Sequence, residues 1–105
     1  MSESPIVIVS AVRTPIGRFG GSFNNVPATE LAAFATKHAL AQAGLSPEDV
    51  DTVILGMARQ AGARPNPARQ VAWNSGVPEH STAFTTNMAC ASGLKTLQQA
   101  ADDIR

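Results

Sequence analysis

The chain has 105 residues, the size of one small domain, with 44% apolar and only 15% charged side chains, so most of it is built to lie inside something rather than to solvate itself. Eight basic and eight acidic residues leave a formal net charge of zero, which removes the electrostatic case for nucleic acid or an anionic membrane as a partner. A single cysteine excludes an internal disulfide, Met1-Ser2-Glu3-Ser4 carries no basic leader, and the apolar run after it is too short to span a bilayer, so a cytoplasmic protein is the default expectation.

Ile6-Val7-Ile8-Val9 is a continuous β-branched run, which predicts a strand buried on both faces. The glycine-rich stretch Gly17 to Ser22 follows it but lacks both the Gly-x-Gly-x-x-Gly spacing and the lysine of a P-loop, so it reads as a loop needing positive φ. Thr29 is placed to cap a helix running through Leu31, Phe34, Ala35 and Leu40, with Gly44 as its stop. Ser46-Pro47-Glu48-Asp49 predicts a short capped turn, and Thr52-Val53-Ile54-Leu55 a second buried strand. Asn66-Pro67 opens the next helix and Gly76-Val77-Pro78 closes it; Phe84-Thr85-Thr86-Asn87 is the third strand. Leu94, Leu97, Ala101 and Ile104 mark one face of the last helix, which reaches Arg105 without a stop signal. The alternation β-α-β-α-β-α predicts an α/β fold with a parallel sheet and right-handed crossovers.

Other polar residues read as structural. Arg59, Arg64 and Arg69 recur every five residues, a spacing that does not align them on a helix, and are assigned to solvent or subunit contacts. His38, four residues after Phe34, reads as a partly buried histidine and His80, beside Glu79, as solvent-facing. Two histidines and one cysteine in different elements lack metal-ligand spacing, so no metal is expected. Phe34 and Trp73 are expected to pack in the interior.

Cys90 stands where the third strand gives way to the helical pattern beginning at Ala91, and this makes it a candidate nucleophile. Unpaired N–H groups and the positive end of the macrodipole at a helix N-terminus favour a thiolate. The same groups can bind an oxyanion, and the Cys90 amide is the donor nearest a carbonyl attacked by its own sulfur. A free cysteine is more often a small buried hydrophobe. Its surroundings, Asn87-Met88-Ala89-Cys90-Ala91-Ser92-Gly93, are nevertheless small and leave room for a bulky molecule to approach, which favours the chemical role.

Asn-x-x-Cys-Ala-Ser-Gly followed by Leu94-Lys95 resembles the active-site segment of the thiolases, the acyl-CoA acetyltransferases that make or cleave 3-ketoacyl-CoA. Val9 to Gly17 with Phe19-Gly20-Gly21 resembles the family's opening strand and loop, and Gln60-Ala61-Gly62 with Asn66 to Gln70 its second loop and helix. The resemblance implies that residues 1–105 are part of the thiolase N-terminal domain, an incomplete half of a layered αβαβα fold. It implies that Cys90 is the catalytic nucleophile, taking an acyl group from one acyl-CoA and passing it either to coenzyme A or to the carbanion of acetyl-CoA. Asn87 and Ser92 would hold the backbone that aims Cys90, and Gly93 would let a neighbouring element or the substrate come close. The family's activating histidine, second cysteine and second oxyanion site have no match in this chain, so the missing C-terminal thiolase segments are expected partners. Coenzyme A thioesters are expected as substrates, with no separate cofactor. A homodimer or homotetramer is expected, with the strand before Cys90 and the loop from Gln60 to Asn66 in the interface. The alternative is a non-catalytic thiolase-like module acting in assembly.

Overall fold

The computed structural model describes residues 4–105; Met1 to Glu3, read above as lacking a leader, lie outside the described residues. Helix α1 (Ala28–Ala43) is followed by a single 3-10 turn (Pro47–Asp49), strand β1 (Thr52–Gly56), helix α2 (Pro67–Asn74), strand β2 (Thr82–Thr86) and helix α3 (Ser92–Ile104). β1 and β2 pair in parallel, in register from Thr52 opposite Thr82 to Gly56 opposite Thr86. A parallel pair needs a crossover, and α2 supplies it, packing on both strands and against α1. α3 packs chiefly on β1.

The interior is centred on α2. Its Pro67, Ala68, Val71 and Ala72 are buried together with Ala33 of α1 and Val77 just beyond the helix. This fixes the helix rotation, and the consequence corrects two sequence expectations. Trp73 is turned away from the sheet and is 69% exposed, and Phe34, one residue past the buried Ala33, is 59% exposed. His38 is exposed too, its ring 4.5 Å from that of Phe34.

Helix boundaries follow local chemistry, though not always through the residue expected. α1 begins at Pro27, whose carbonyl accepts from the Glu30 and Leu31 N–H groups, so Thr29 lies inside the first turn and is buried rather than capping. The other end is the predicted glycine stop. Gly44 has φ +70, its N–H donates to Ala41 O and that of Leu45 to Leu40 O, which together satisfy carbonyls the helix would leave open. Ser46 and Asp49 form a reciprocal capping box around the 3-10 turn.

α2 is capped from across the fold. Asn66, at φ +50, directs its side chain to β2: its Nδ2 donates to Ala83 O at 3.0 Å and its Oδ1 accepts from Thr85 Oγ1 at 2.9 Å. That same Thr85 hydroxyl accepts from the Ala68 N–H at 3.0 Å, so β2 provides the cap that Asn66 does not.

Ile6 to Val9 does not join the ladder. The segment forms neither helix nor strand and is exposed, and no strand among the described residues pairs with it; just beyond it, Ser10 Oγ and Ala11 N donate to Gln42 Oε1 of α1 at 2.7 and 3.1 Å. A strand needs a neighbour for its N–H and C=O groups, and the β-branched run signals what the segment can form, not whether the neighbour is present.

On the last helix the apolar face marked in the sequence is not the one that meets the sheet. α3 turns Ser92, Thr96, Gln99 and Ala100 toward the sheet, while Leu94 and Leu97 are 74% and 54% exposed and Ile104 also faces out. Gly56 makes this possible. A Cβ there would lie 2.6 Å from the Ser92 carbonyl carbon, so only glycine admits the helix backbone at this distance. Thr86 Oγ1, donating to Gln99 Oε1 at 2.6 Å, ties the helix to β2.

Candidate active site at the junction of β2 and α3

Cys90 lies on the five-residue turn between Thr86, the last residue of β2, and Ser92, the first of α3, and it is exposed. The helix starts one residue later than the sequence pattern suggested, with Ala91 at the cap position. Two side chains clamp the turn, in addition to its own backbone hydrogen bonds. Asn87 Oδ1 accepts from the Ala89 N–H at 3.0 Å, while Asn87 Nδ2 donates to Ala58 O, in the loop leaving β1, at 3.0 Å. Ser92 Oγ donates to Ala89 O at 2.6 Å and accepts from the Met88 N–H at 2.8 Å.

Between these clamps Ala89 adopts φ +48, a left-handed conformation that an L-residue with a Cβ avoids. The Ala91 and Ser92 N–H groups are spent on Met88 O and Ala89 O at 3.0 and 3.1 Å. Cys90 forms an isolated backbone bridge with Met88, while its N–H makes no hydrogen bond of good geometry among the described residues. The Gly93 and Leu94 N–H groups are likewise uncommitted, and of these donors the Cys90 N–H is the one on the same residue as an accessible sulfur.

A groove of about 490 Å³ runs along the outer side of α3, lined by Met88, Ala91, Leu94, Lys95, Leu97 and Gln98. Cys90 borders this segment without lining the groove. A Cβ placed on Gly93 would meet nothing within 4 Å, so no neighbouring element uses the space there and the position is open to an incoming molecule.

The remaining sequence candidates lie elsewhere. His38 is on α1 and His80 in the turn before β2, and neither hydrogen-bonds to the Cys90 turn. Arg69 Nη2 donates to Ser81 O at 2.8 Å and is structural; Arg59 and Arg64 are exposed in the loop before α2. No group of three or more His, Cys, Asp or Glu among the described residues is arranged to hold a metal. No helix among the described residues is long and apolar enough to cross a membrane. Sequence reading missed Gly56 and Ala58. Both act through the backbone, and only an unusual glycine at a strand end signalled the first.

The chain is an α/β protein in which a parallel β-α-β unit delivers an exposed cysteine to the start of a helix. Residues 6–105 match the family model described as thiolase, N-terminal domain, and the chain belongs to the thiolase family. It is 48% identical over 99 residues to a probable acetyl-CoA acyltransferase of Staphylococcus aureus and 50% identical over 99 residues to an acetyl-CoA acetyltransferase of Cupriavidus necator, in each case over 94% of this chain and 25% of the relative. The fold superposes on the Acat5 thiolase from Ascaris suum, solved in complex with coenzyme A, with a TM-score of 0.91 and 34% identity over 92% of this chain and 25% of that one. The chain thus spans about a quarter of the length of the curated relatives it matches.

Proposed function

We propose that this chain contributes the nucleophile of a thiolase reaction, with Cys90 forming an acyl-enzyme from an acyl-CoA. The Cys90 thiolate adds to the thioester carbonyl, and the oxyanion is met by the Cys90 N–H. Collapse breaks the bond to the coenzyme A sulfur, which leaves as a thiolate and takes a proton from a group outside this chain. In the synthetic direction the acyl group then passes to the carbanion of acetyl-CoA, giving acetoacetyl-CoA and regenerating the Cys90 thiolate; in the degradative direction the thiolate adds instead to the 3-keto carbonyl, the C2–C3 bond breaks with acetyl-CoA leaving as a carbanion that is protonated by a group outside this chain, and the acyl group passes to the thiolate of coenzyme A. One thioester is exchanged for another in the first half, so the intermediate is neither a trap nor uphill.

The observation that supports this most directly is the pairing of an exposed sulfur with an unengaged amide on the same residue. The acid–base groups and the coenzyme A site belong, in this reading, to the rest of the thiolase polypeptide, working as a homo-oligomer in the cytoplasm on fatty acyl metabolism. Incubation of the full-length protein with acetyl-CoA, followed by peptide mass spectrometry, is expected to find one acetyl group per chain on Cys90. Cys90→Ser should abolish both the adduct and turnover. A folded protein that turns over acyl-CoA with Cys90 unmodified and replaceable overturns the reading, and one that binds partners but takes no adduct indicates the assembly module.

A further inference from the structure

We infer that Asn87 is a positioning residue for acyl transfer, using both ends of its amide to fix Ala89 in a left-handed conformation and so to aim the Cys90 sulfur and N–H. This rests on the acyl-enzyme reading above. Asn87 has two partners of opposite polarity: the Ala89 N–H can meet only its oxygen, and the Ala58 carbonyl only its NH₂. The two bonds fix the amide orientation and leave no alternative flip. One end therefore grips the turn two residues from Asn87 itself, and the other anchors it to the loop leaving β1, 29 residues away in sequence.

Ser92 closes the turn from the other side. Its hydroxyl spans the Met88 N–H and the Ala89 carbonyl; with Asn87 on the Ala89 N–H and Ser92 on the Ala89 carbonyl, both peptide groups flanking Ala89 are held while the residue sits at φ +48. A relaxed alanine would leave this region, and the peptide that rotates on leaving is the one that carries the Cys90 N–H. Asn87 touches neither the sulfur nor any atom that reacts, so its effect on chemistry passes through the Ala89 backbone.

The test uses the full-length protein and separates positioning from stability. Asn87→Ala is expected to lower the single-turnover rate of Cys90 acetylation at saturating acetyl-CoA by about tenfold to a hundredfold, with little change in KM, since sub-ångström misplacement acts on the transition state. Asn87→Asp, which keeps the acceptor for Ala89 but sets an anion against the Ala58 carbonyl, should also lose rate. The double variant Asn87→Ala with Ala89→Gly is decisive. Glycine accepts positive φ freely, so it should recover thermal stability while the acetylation rate stays low, because the turn is no longer held to one conformation.

Wild-type acetylation in Asn87→Ala, or recovery of rate and stability together in the double variant, overturns the inference. If the wild-type protein itself takes no acetyl group, the acyl-enzyme reading falls. Alkylation of Cys90 by iodoacetamide then decides the positioning role: a rate lowered in Asn87→Ala and not restored by Ala89→Gly sustains it, and equal rates in all three proteins refute it.

Discussion

Two glycines at the contact between β1 and α3 have opposite consequences. Gly56 meets the Ser92 and Gly93 backbone at under 3 Å from any added Cβ, whereas Gly93 meets nothing. Gly56→Ala should therefore push α3 off the sheet and cost about 1–3 kcal/mol, read as a lower urea midpoint. Gly93→Val should leave that midpoint nearly unchanged while blocking acetylation of Cys90 by filling the open side of the turn. Unchanged labelling in Gly93→Val contradicts the assignment of that space to substrate. The cysteine, the asparagine and the serine of this site were legible in the sequence because they form a compact motif around a strand end. Ala58 and Gly56 were not, since a carbonyl acceptor and a missing Cβ carry no side-chain signature.

At the level of elements, Thr85 links α2 to β2 by serving the Ala68 N–H and Asn66 Oδ1 at once. Thr85→Val keeps the shape and β preference and removes only the hydroxyl, so the loss should resemble that of a helix cap, about 1 kcal/mol and up to 2 in equilibrium unfolding. A loss confined to a few tenths would mean that water replaces the cap. Strands β1 and β2, the capped turn after Gly44 and the limits of α2 were legible because β-branched runs, Pro and Gly act locally. Thr29 was misjudged because Pro27 starts α1 two residues earlier, and Ile6 to Val9 because strand formation depends on a neighbour that sequence propensity does not report. Which face of α3 meets the sheet was not legible for a third reason: the apolar stripe was identified, but an apolar stripe seeks any apolar cover, and here Gly56 brings the small polar side of the helix to the sheet.

Across the whole molecule, apolar side chains at Val7, Ile8, Val9, Ile16, Phe19, Leu94 and Leu97 stand exposed together with an unpaired extended segment. Surfaces of this kind associate. The 105-residue chain on its own is expected to sediment as oligomers with a concentration-dependent distribution, and Leu94→Glu with Leu97→Glu should shift it toward monomer without unfolding α3. A monodisperse wild-type monomer would show that these surfaces are not adhesive. The family and the fold class were legible at this scale because three motifs keep their order along the chain, while the arrangement of covered and uncovered faces depends on contacts no single motif contains.

The bond from Asn87 to Ala58 makes the reactive turn a late product of folding. The turn at residues 87–92 cannot assume its final shape until the α2 crossover has brought β2 alongside β1, a closure between segments about thirty residues apart that must meet its entropic cost first. A chain that has not closed this crossover therefore carries Cys90 on an unshaped segment, and the turn takes its geometry only once the architecture around it has been completed.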